Sequence, residues 1–285
     1  MNNSNITLFA DDTTLTISNR NRNILETETH IALLLLQKWC SENELVINAK
    51  KTNFILFHTI KHNEPDTLSV KINNEKIEGT NSTTFLGIKI DKNLNFKEHT
   101  EALLKKLSSI IFAIKVIKNK VGLTTAKTAY HALFEPHIRY GITVWGNITN
   151  INKVFIIQKR LIKYLMSKGP RSHCKNLFKK LEILTVPSIL ILECLLYIKK
   201  NEASATKNNE IHDHNTRNKD NIHFNHHRLT KYQKSPHHLS VKLYNRLPTQ
   251  LKKESNVLLF KNQIKKILKE QAFYTAEEFL NHDFA

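Results

Sequence analysis

Phe9-Ala10-Asp11-Asp12 lies between two short alternating stretches, Ile6-Thr7-Leu8 before it and Thr14-Leu15-Thr16-Ile17 after it. Alternation of apolar and polar residues on both sides predicts a β-hairpin with its turn at the two aspartates. A hairpin tip holds both side chains in one exposed place. Adjacent negative charges are tolerated there in water or against a cation, and hard divalent ions such as Mg²⁺ prefer oxygen ligands of this kind. Paired carboxylates therefore suit a two-metal nucleotidyl-transfer site. Aspartate is also a common turn former, so the pair alone reads more readily as a solvated turn.

Beyond the hairpin, Asn23 with Glu26 three residues later resembles a helix start, and Ile24, Ile31, Leu35 and Trp39 follow at helical spacing. Leu45 to Asn48, the pair Lys50-Lys51 and the β-prone run Asn53 to Phe57 read as turn then strand. Further strands are expected at Ser69 to Ile72 and Thr84 to Ile90, with Gly87 as a bend in the second. From Phe96 the period becomes helical. Leu103, Leu107, Ile110, Ile111, Ile114 and Ile117 share one side, with Lys105, Lys106, Lys115, Lys118 and Lys120 interleaved. Gly122 ends this helix, Thr124 or Thr125 is placed to cap the next, and that one is expected to stop near Pro136. Helices are also expected at 151–167, 188–200 and 255–271. Residues 201–240, rich in Asn, His and Lys, read as an exposed linker or basic loop.

Charge is distributed unevenly. The 285 residues carry a formal net charge of +18, and residues 93–200 alone hold 19 Lys/Arg against 5 Asp/Glu. A local excess of that size suits a polyanion, nucleic acid first and an anionic membrane surface second. Cys40, Cys174 and Cys194 are far apart and show no CxxC spacing, which argues against a disulfide framework or a cysteine zinc site and for a reducing, intracellular setting. The polar N-terminus reads as no secretory signal. Ile183 to Ile198, interrupted by Pro187, Ser188 and Glu193, is too short for a membrane span, so a soluble protein without a membrane partner is expected. His212, His214, His223, His226, His227, His237 and His238 form no zinc-ligand spacing. Phosphate-loop and nucleophile-elbow motifs are absent.

In order, these features resemble the C-terminal half of a reverse transcriptase from a jockey-type non-LTR retrotransposon. Phe9 to Asp12 look like that family's metal-binding hairpin in the palm. Asn48, Lys51 and Thr52, followed by Phe57, look like its next palm motif, and Phe85-Leu86-Gly87 looks like its primer grip. Pro136, Tyr140-Gly141 and Trp145-Gly146 match its thumb, and His214 to Arg217, Ser235-Pro236 and Leu243 to Pro248 match its C-terminal tail. The resemblance implies an α+β chain: a small antiparallel palm remnant at 1–92, a helical basic thumb at 93–200, and a linker with a C-terminal helical region at 201–285.

It also implies roles. Asp11 and Asp12 become metal and catalytic residues, with Mg²⁺ as cofactor. Lys51 becomes a catalytic cation near the departing pyrophosphate, although a solvated lysine explains it as well. Phe85, Leu86 and Gly87 either position the primer or pack in the core. Lys105, Lys106, Lys115 and Lys118 contact phosphates of the product duplex, while Tyr140 and Trp145 are read as thumb core. The implied partners are an RNA template and a DNA primer. The family's other essential palm carboxylate lies far upstream of the hairpin, and only ten residues precede Asp11. A fragment inactive by itself is therefore expected, with a non-enzymatic nucleic-acid-binding module as the alternative.

Overall fold

The computed structural model describes residues 4–58, 68–73, 75–147, 151–211, 219–224 and 227–284. It is an α+β structure with two compact units, one up to Leu94 and one from Asn95 onward.

In the first unit, β1 (Ser4–Phe9) and β2 (Asp12–Ile17) pair antiparallel from Ser4 opposite Ile17 to Phe9 opposite Asp12. The two-residue loop is Ala10 and Asp11, with Ala10 at φ 51°. The turn thus falls one residue earlier than the sequence suggested, and Asp12 already belongs to β2. Tight hairpin loops need positive φ at the first loop position, and Ala10 takes it. Next, α1 (Arg22–Glu42) is capped by Asn21, not Asn23, because the Asn21 side chain accepts from the Asn23 and Ile24 N–H groups at 2.9 and 3.3 Å.

The strand expected at Asn53 to Phe57 is only a single parallel bridge between Phe54 and Gly79. Thr80 N–H donates to the Phe54 carbonyl at 2.9 Å, and no strand forms around that bond. Two-residue strands β3 (Lys71–Ile72) and β4 (Glu75–Lys76) pair beside it. Leu33, Leu68, Val70, Ile72 and Ile77 make the small core, with Leu25, Ile47, Phe54 and Leu56 packed around it.

The strand expected at Thr84 to Ile90 is instead a hairpin, β5 (Ser82–Phe85) and β6 (Ile88–Asp91). Leu86 (φ 46°) and Gly87 (φ 76°) form its loop, a pair of left-handed residues that matches strand twist. Glycine reaches this conformation freely. Leucine does so only under strain.

The second unit begins with α2 (Lys97–Val121), whose buried Leu103, Leu107 and Ile114 confirm the helical period. Gly122 itself, at φ 103°, joins it to α3 (Leu123–Ala129), leaving Thr124 and Thr125 inside the helix and not at a cap. A π-turn over Tyr130–Phe134 leads into α4 (Glu135–Arg139), so the helix does not stop near Pro136. The π-turn places Pro136 in the first turn of α4, where a missing N–H costs nothing.

After α5 (Ile142–Trp145) comes Gly146. A Cβ there would lie 2.4 Å from the Ile142 carbonyl oxygen and 3.0 Å from Leu190, so only glycine fits. Then follow α6 (Ile151–Leu165), α7 (Lys175–Leu181) and α8 (Val186–Asn201). The last helices are α9 (Thr230–Gln233), α10 (Pro236–Arg246), α11 (Thr249–Lys253), α12 (Val257–Gln271) and α13 (Ala276–Leu280). Almost every residue of α8 is buried, and α10, α12, α5, α4 and α6 pack around it. The apolar run at 183–198 is therefore the central core helix of this unit. Among the described residues no single helix is long and apolar enough to cross a membrane.

Two further expectations change. Residues 201–240 are not wholly an exposed linker: Ile222 is buried, and the Asn245 side chain brackets it, accepting from its N–H at 3.0 Å and donating to its carbonyl at 2.9 Å. Helices read separately in the 93–200 and 201–285 segments share one core around α8. Trp145 is fully buried, and its indole N–H donates to the Tyr140 carbonyl at 2.9 Å. Tyr140 itself is 55% exposed and so is not a core residue, because α4 ends there and turns its ring outward.

Candidate functional site

Asp11 and Asp12 stand at the exposed tip of the first hairpin. Among the described residues no cluster of three or more His, Cys, Asp or Glu side chains is arranged to hold a metal ion. Two carboxylates at one solvated tip hold a hard cation weakly, and a two-metal clamp needs more oxygen ligands. The residues here do not by themselves fit such a site.

Lys51 closes a short 3₁₀ turn, Ala49–Lys51, that the preceding Asn48 builds. The Asn48 side chain accepts from the Lys51 N–H at 3.2 Å, and the Thr52 hydroxyl donates to the Asn48 carbonyl at 2.9 Å. Asn48 and Thr52 therefore fix the backbone under Lys51, whose side chain is exposed. Phe85, Leu86 and Gly87 form the corner of the β5–β6 hairpin, Phe85 and Leu86 half-buried and Gly87 exposed. This corner brings two left-handed residues, Leu86 and Gly87, to a tip.

The four lysines chosen on α2 divide into two pairs. Lys105 and Lys106 are exposed. His137 on α4 is held below the usual imidazole range by partial burial and by the nearby Lys106 ammonium, which brings Lys106 and His137 onto one surface. Lys118 is spent internally: its ammonium donates to the Tyr164 carbonyl at 2.5 Å and to the Ser167 hydroxyl at 2.8 Å. A cation at those last carbonyls of α6 complements the helix dipole. Lys115 and Lys118 lie 4.9 and 4.8 Å from the Tyr164 ring centroid, a cation–π pairing that ties α2 to α6.

The basic excess of residues 93–200 is not confined to α2. Between Glu135 and Glu182 there is no acidic residue, and residues 153–180 hold nine Lys/Arg. Seven of these, Lys153, Arg160, Lys168, Arg171, Lys175, Lys179 and Lys180, are exposed along α6, the loop after it and α7. Lys163 holds that loop in place by donating to the Pro170 carbonyl, and Ser172 N–H donates to the Gly169 carbonyl at 3.1 Å.

Sequence comparison finds relatives of one kind. A probable RNA-directed DNA polymerase from transposon BS of Drosophila melanogaster is 26% identical over 160 residues, 54% of this chain and 18% of that protein. The corresponding protein from transposon X-element of the same organism is 23% identical over 167 residues, 57% of this chain and 18% of its own length. The RNA-directed DNA polymerase from its mobile element jockey is 25% identical over 166 residues, 55% of this chain and 18% of its own. The chain is similar to the RNA-directed DNA polymerases of jockey-type and related non-LTR retrotransposons. The match lies in the C-terminal half of those proteins and spans less than a fifth of their length. No family model and no solved structure matches.

Proposed function

We propose that this chain is the C-terminal palm and thumb portion of a retrotransposon reverse transcriptase, acting on an RNA template and a DNA primer. The observation that carries the reading is the similarity, over more than half of the chain, to several transposon polymerases. In this reading Asp11 is the chain's contribution to a metal site that other oxygen ligands complete, and Asp12 supports it. Mg²⁺ bound there in a complete enzyme supplies Lewis acidity at the reacting phosphate. Lys51, held by its Asn48-capped turn, offers a fixed cation for charge developing on a departing pyrophosphate. The Phe85-Leu86-Gly87 corner presents backbone to the primer end. Lys105, Lys106 and the larger surface of α6 and α7 neutralise phosphates of the product duplex without reading bases.

The test is a chimera in which the matched segment of the Drosophila melanogaster jockey polymerase is replaced by the corresponding segment of this chain. Primer extension on an RNA template should be measurable in the chimera and absent from this chain alone. Asp11→Asn should abolish it, and Lys51→Met should slow it by about 100-fold, the usual cost of losing one electrostatic stabiliser. Near-normal synthesis by the Asp11→Asn chimera removes the metal-ligand role. Synthesis by this chain alone removes the argument that its donor set is incomplete.

A further inference from the structure

The second unit contains a cavity of about 720 Å³ that the palm and thumb reading does not use. It lies between the 219–224 segment, α10 from His238 to Asn245, the end of α9 and α13, with Asn147 and Asn208 at its sides. Its floor is fixed by hydrogen bonds. Besides the Asn245 bracket around Ile222, Lys252 donates to the Asn221 side chain and to the Asn245 carbonyl, each at 2.9 Å. His223 N–H donates to the Thr206 carbonyl at 2.8 Å, and Asn208 N–H to the Asn221 carbonyl at 3.0 Å. The cavity is thus a constructed feature of a segment whose composition suggested a linker.

Rings, carboxamides and ammonium groups line it, together with the Glu277 carboxylate and the apolar Ile222, Leu239, Ala276 and Leu280. Phe224 and His238, both half-buried, pack against each other with ring centroids 4.3 Å apart and inclined at 48°, and together supply one aromatic surface on which a base can lie. Burial lowers the His238 imidazole below its ordinary range, with Lys242, His227 and His237 adding to it against a backbone hydrogen bond at Gln233 that raises it. Asn147 and Gln233 supply carboxamides, the groups that match donor and acceptor edges of bases; each is anchored, Asn147 to the Lys234 carbonyl at 3.2 Å and Gln233 to the His227 carbonyl at 2.9 Å. Lys234 and Lys242, both exposed, supply positive charge at the rim. Ring faces, amide edges and rim cations together are the chemistry that captures an unstacked base with its phosphate. Asn, Gln, His and Lys side chains outnumber the apolar ones in the described lining, which favours a ligand with polar edges over a purely apolar side chain.

We propose that this cavity binds an unpaired nucleotide of single-stranded RNA or DNA, Phe224 and His238 holding the base and Lys234 and Lys242 its phosphates. The inference rests on the nucleic-acid reading above but assigns a different surface and a different strand state from the duplex contacts of α2, α6 and α7.

The experiment uses the full chain with two fluorescent probes, a blunt duplex and the same duplex with a short single-stranded overhang carrying 2-aminopurine. The overhang should tighten binding by about tenfold, as one stacked base does, and the 2-aminopurine emission should be quenched. Lys242→Ala and Gln233→Ala change exposed residues and should lose most of that advantage. His238→Ala should lose the quenching as well, with blunt-duplex affinity unchanged in all three. Equal binding of blunt and overhang probes with no quenching overturns the cavity assignment alone. Failure of the blunt duplex to bind, with the overhang still bound and quenched, overturns the duplex surface and leaves the cavity standing. An overhang advantage untouched by all three variants places the unpaired base elsewhere and also overturns the assignment.

Discussion

The unit up to Leu94 and the unit from Asn95 onward handle apolar surface in opposite ways. The first buries five residues in its core and leaves Ile6, Leu8 and Phe9 about 60% exposed, with Leu34, Leu35 and Trp39 of α1 about half exposed. In the second, Trp145, Tyr130, Phe134, Phe178, Phe260 and Phe279 are fully buried. Its buried Gln158 is fully matched: the Gln158 amide donates to the Tyr130 hydroxyl at 2.7 Å and the Leu184 carbonyl at 2.8 Å and accepts from Val186 N–H at 2.9 Å. Stability follows burial of apolar area, so it is concentrated in the second unit. The residues proposed for polymerase chemistry lie in the first, on hairpin tips and a 3₁₀ turn.

The largest effects should expose this contrast. Phe134→Ala or Trp145→Ala should cost about 3–5 kcal/mol, the usual cost of emptying a packed aromatic site. Leu8→Thr or Phe9→Ser should stay within about 0.5 kcal/mol, as for exposed positions generally. The two tryptophans are convenient reporters because Trp39 lies in the first unit and Trp145 in the second. Urea unfolding followed by Trp145 emission in a Trp39→Phe background reports Phe134→Ala, Trp39 emission in a Trp145→Phe background reports Leu8→Thr and Phe9→Ser, and circular dichroism follows Trp145→Ala. A loss at Leu8 as large as that at Phe134 would dissolve the distinction.

Next in size is a pH effect confined to the second unit. Burial alone raises the Glu135 carboxyl, but hydrogen bonds from His131 and Arg139 and their charge outweigh it and bring the value down to about 2 from the ordinary 4.5. Arg139 in turn bridges Glu135 and Glu193. A carboxylate with a depressed folded value stabilises fully above its unfolded value and loses that contribution as pH falls from about 4.5 to about 2. The contribution is at most about 3 kcal/mol. Glu135→Gln should therefore be less stable at pH 7 and should show a flatter stability profile across that acid window. An unaltered slope would mean that Arg139 satisfies itself through Glu193.

Much of this was readable in advance where a pattern was long. The helical period of α2, the core role of Trp145 and the exposed paired aspartates follow from spacing and residue type. The short elements were not readable, because a two-residue strand such as β3 has no period. The left-handed Leu86 also contradicts leucine's own preference, so a sequence pass reads Thr84 to Ile90 as one strand. The Lys118 strut and the cavity beside His238 depend on residues from distant segments, and no local spacing encodes them.

Nucleic-acid binding separates lysines that hold the fold from lysines that face solvent. Neutralising Lys168, Arg171, Lys179 and Lys180 together should flatten the dependence of log affinity on log salt by up to about 0.9 for each duplex phosphate left without a cation. Lys105→Ala with Lys106→Ala should have a smaller effect of the same kind. Lys118→Met should lower stability and leave the slope unchanged, because its ammonium bonds Tyr164 and Ser167. Equal slopes for all three sets would place the duplex on another face.

The smallest effect is the most informative about the first unit. Leu86 holds φ 46° in the loop of the β5–β6 hairpin, a conformation that asparagine or glycine adopts with less strain. Leu86→Asn should therefore stabilise the chain by about 0.5–1 kcal/mol, measured by the urea midpoint. A strained residue at a tip persists where its side chain or the backbone it exposes serves a purpose. If the corner positions a primer end, the same substitution in the polymerase chimera should lower synthesis while raising stability. Gains in both would show that leucine is there for packing, which would move Phe85-Leu86-Gly87 from the chemistry of the first unit to its thin core.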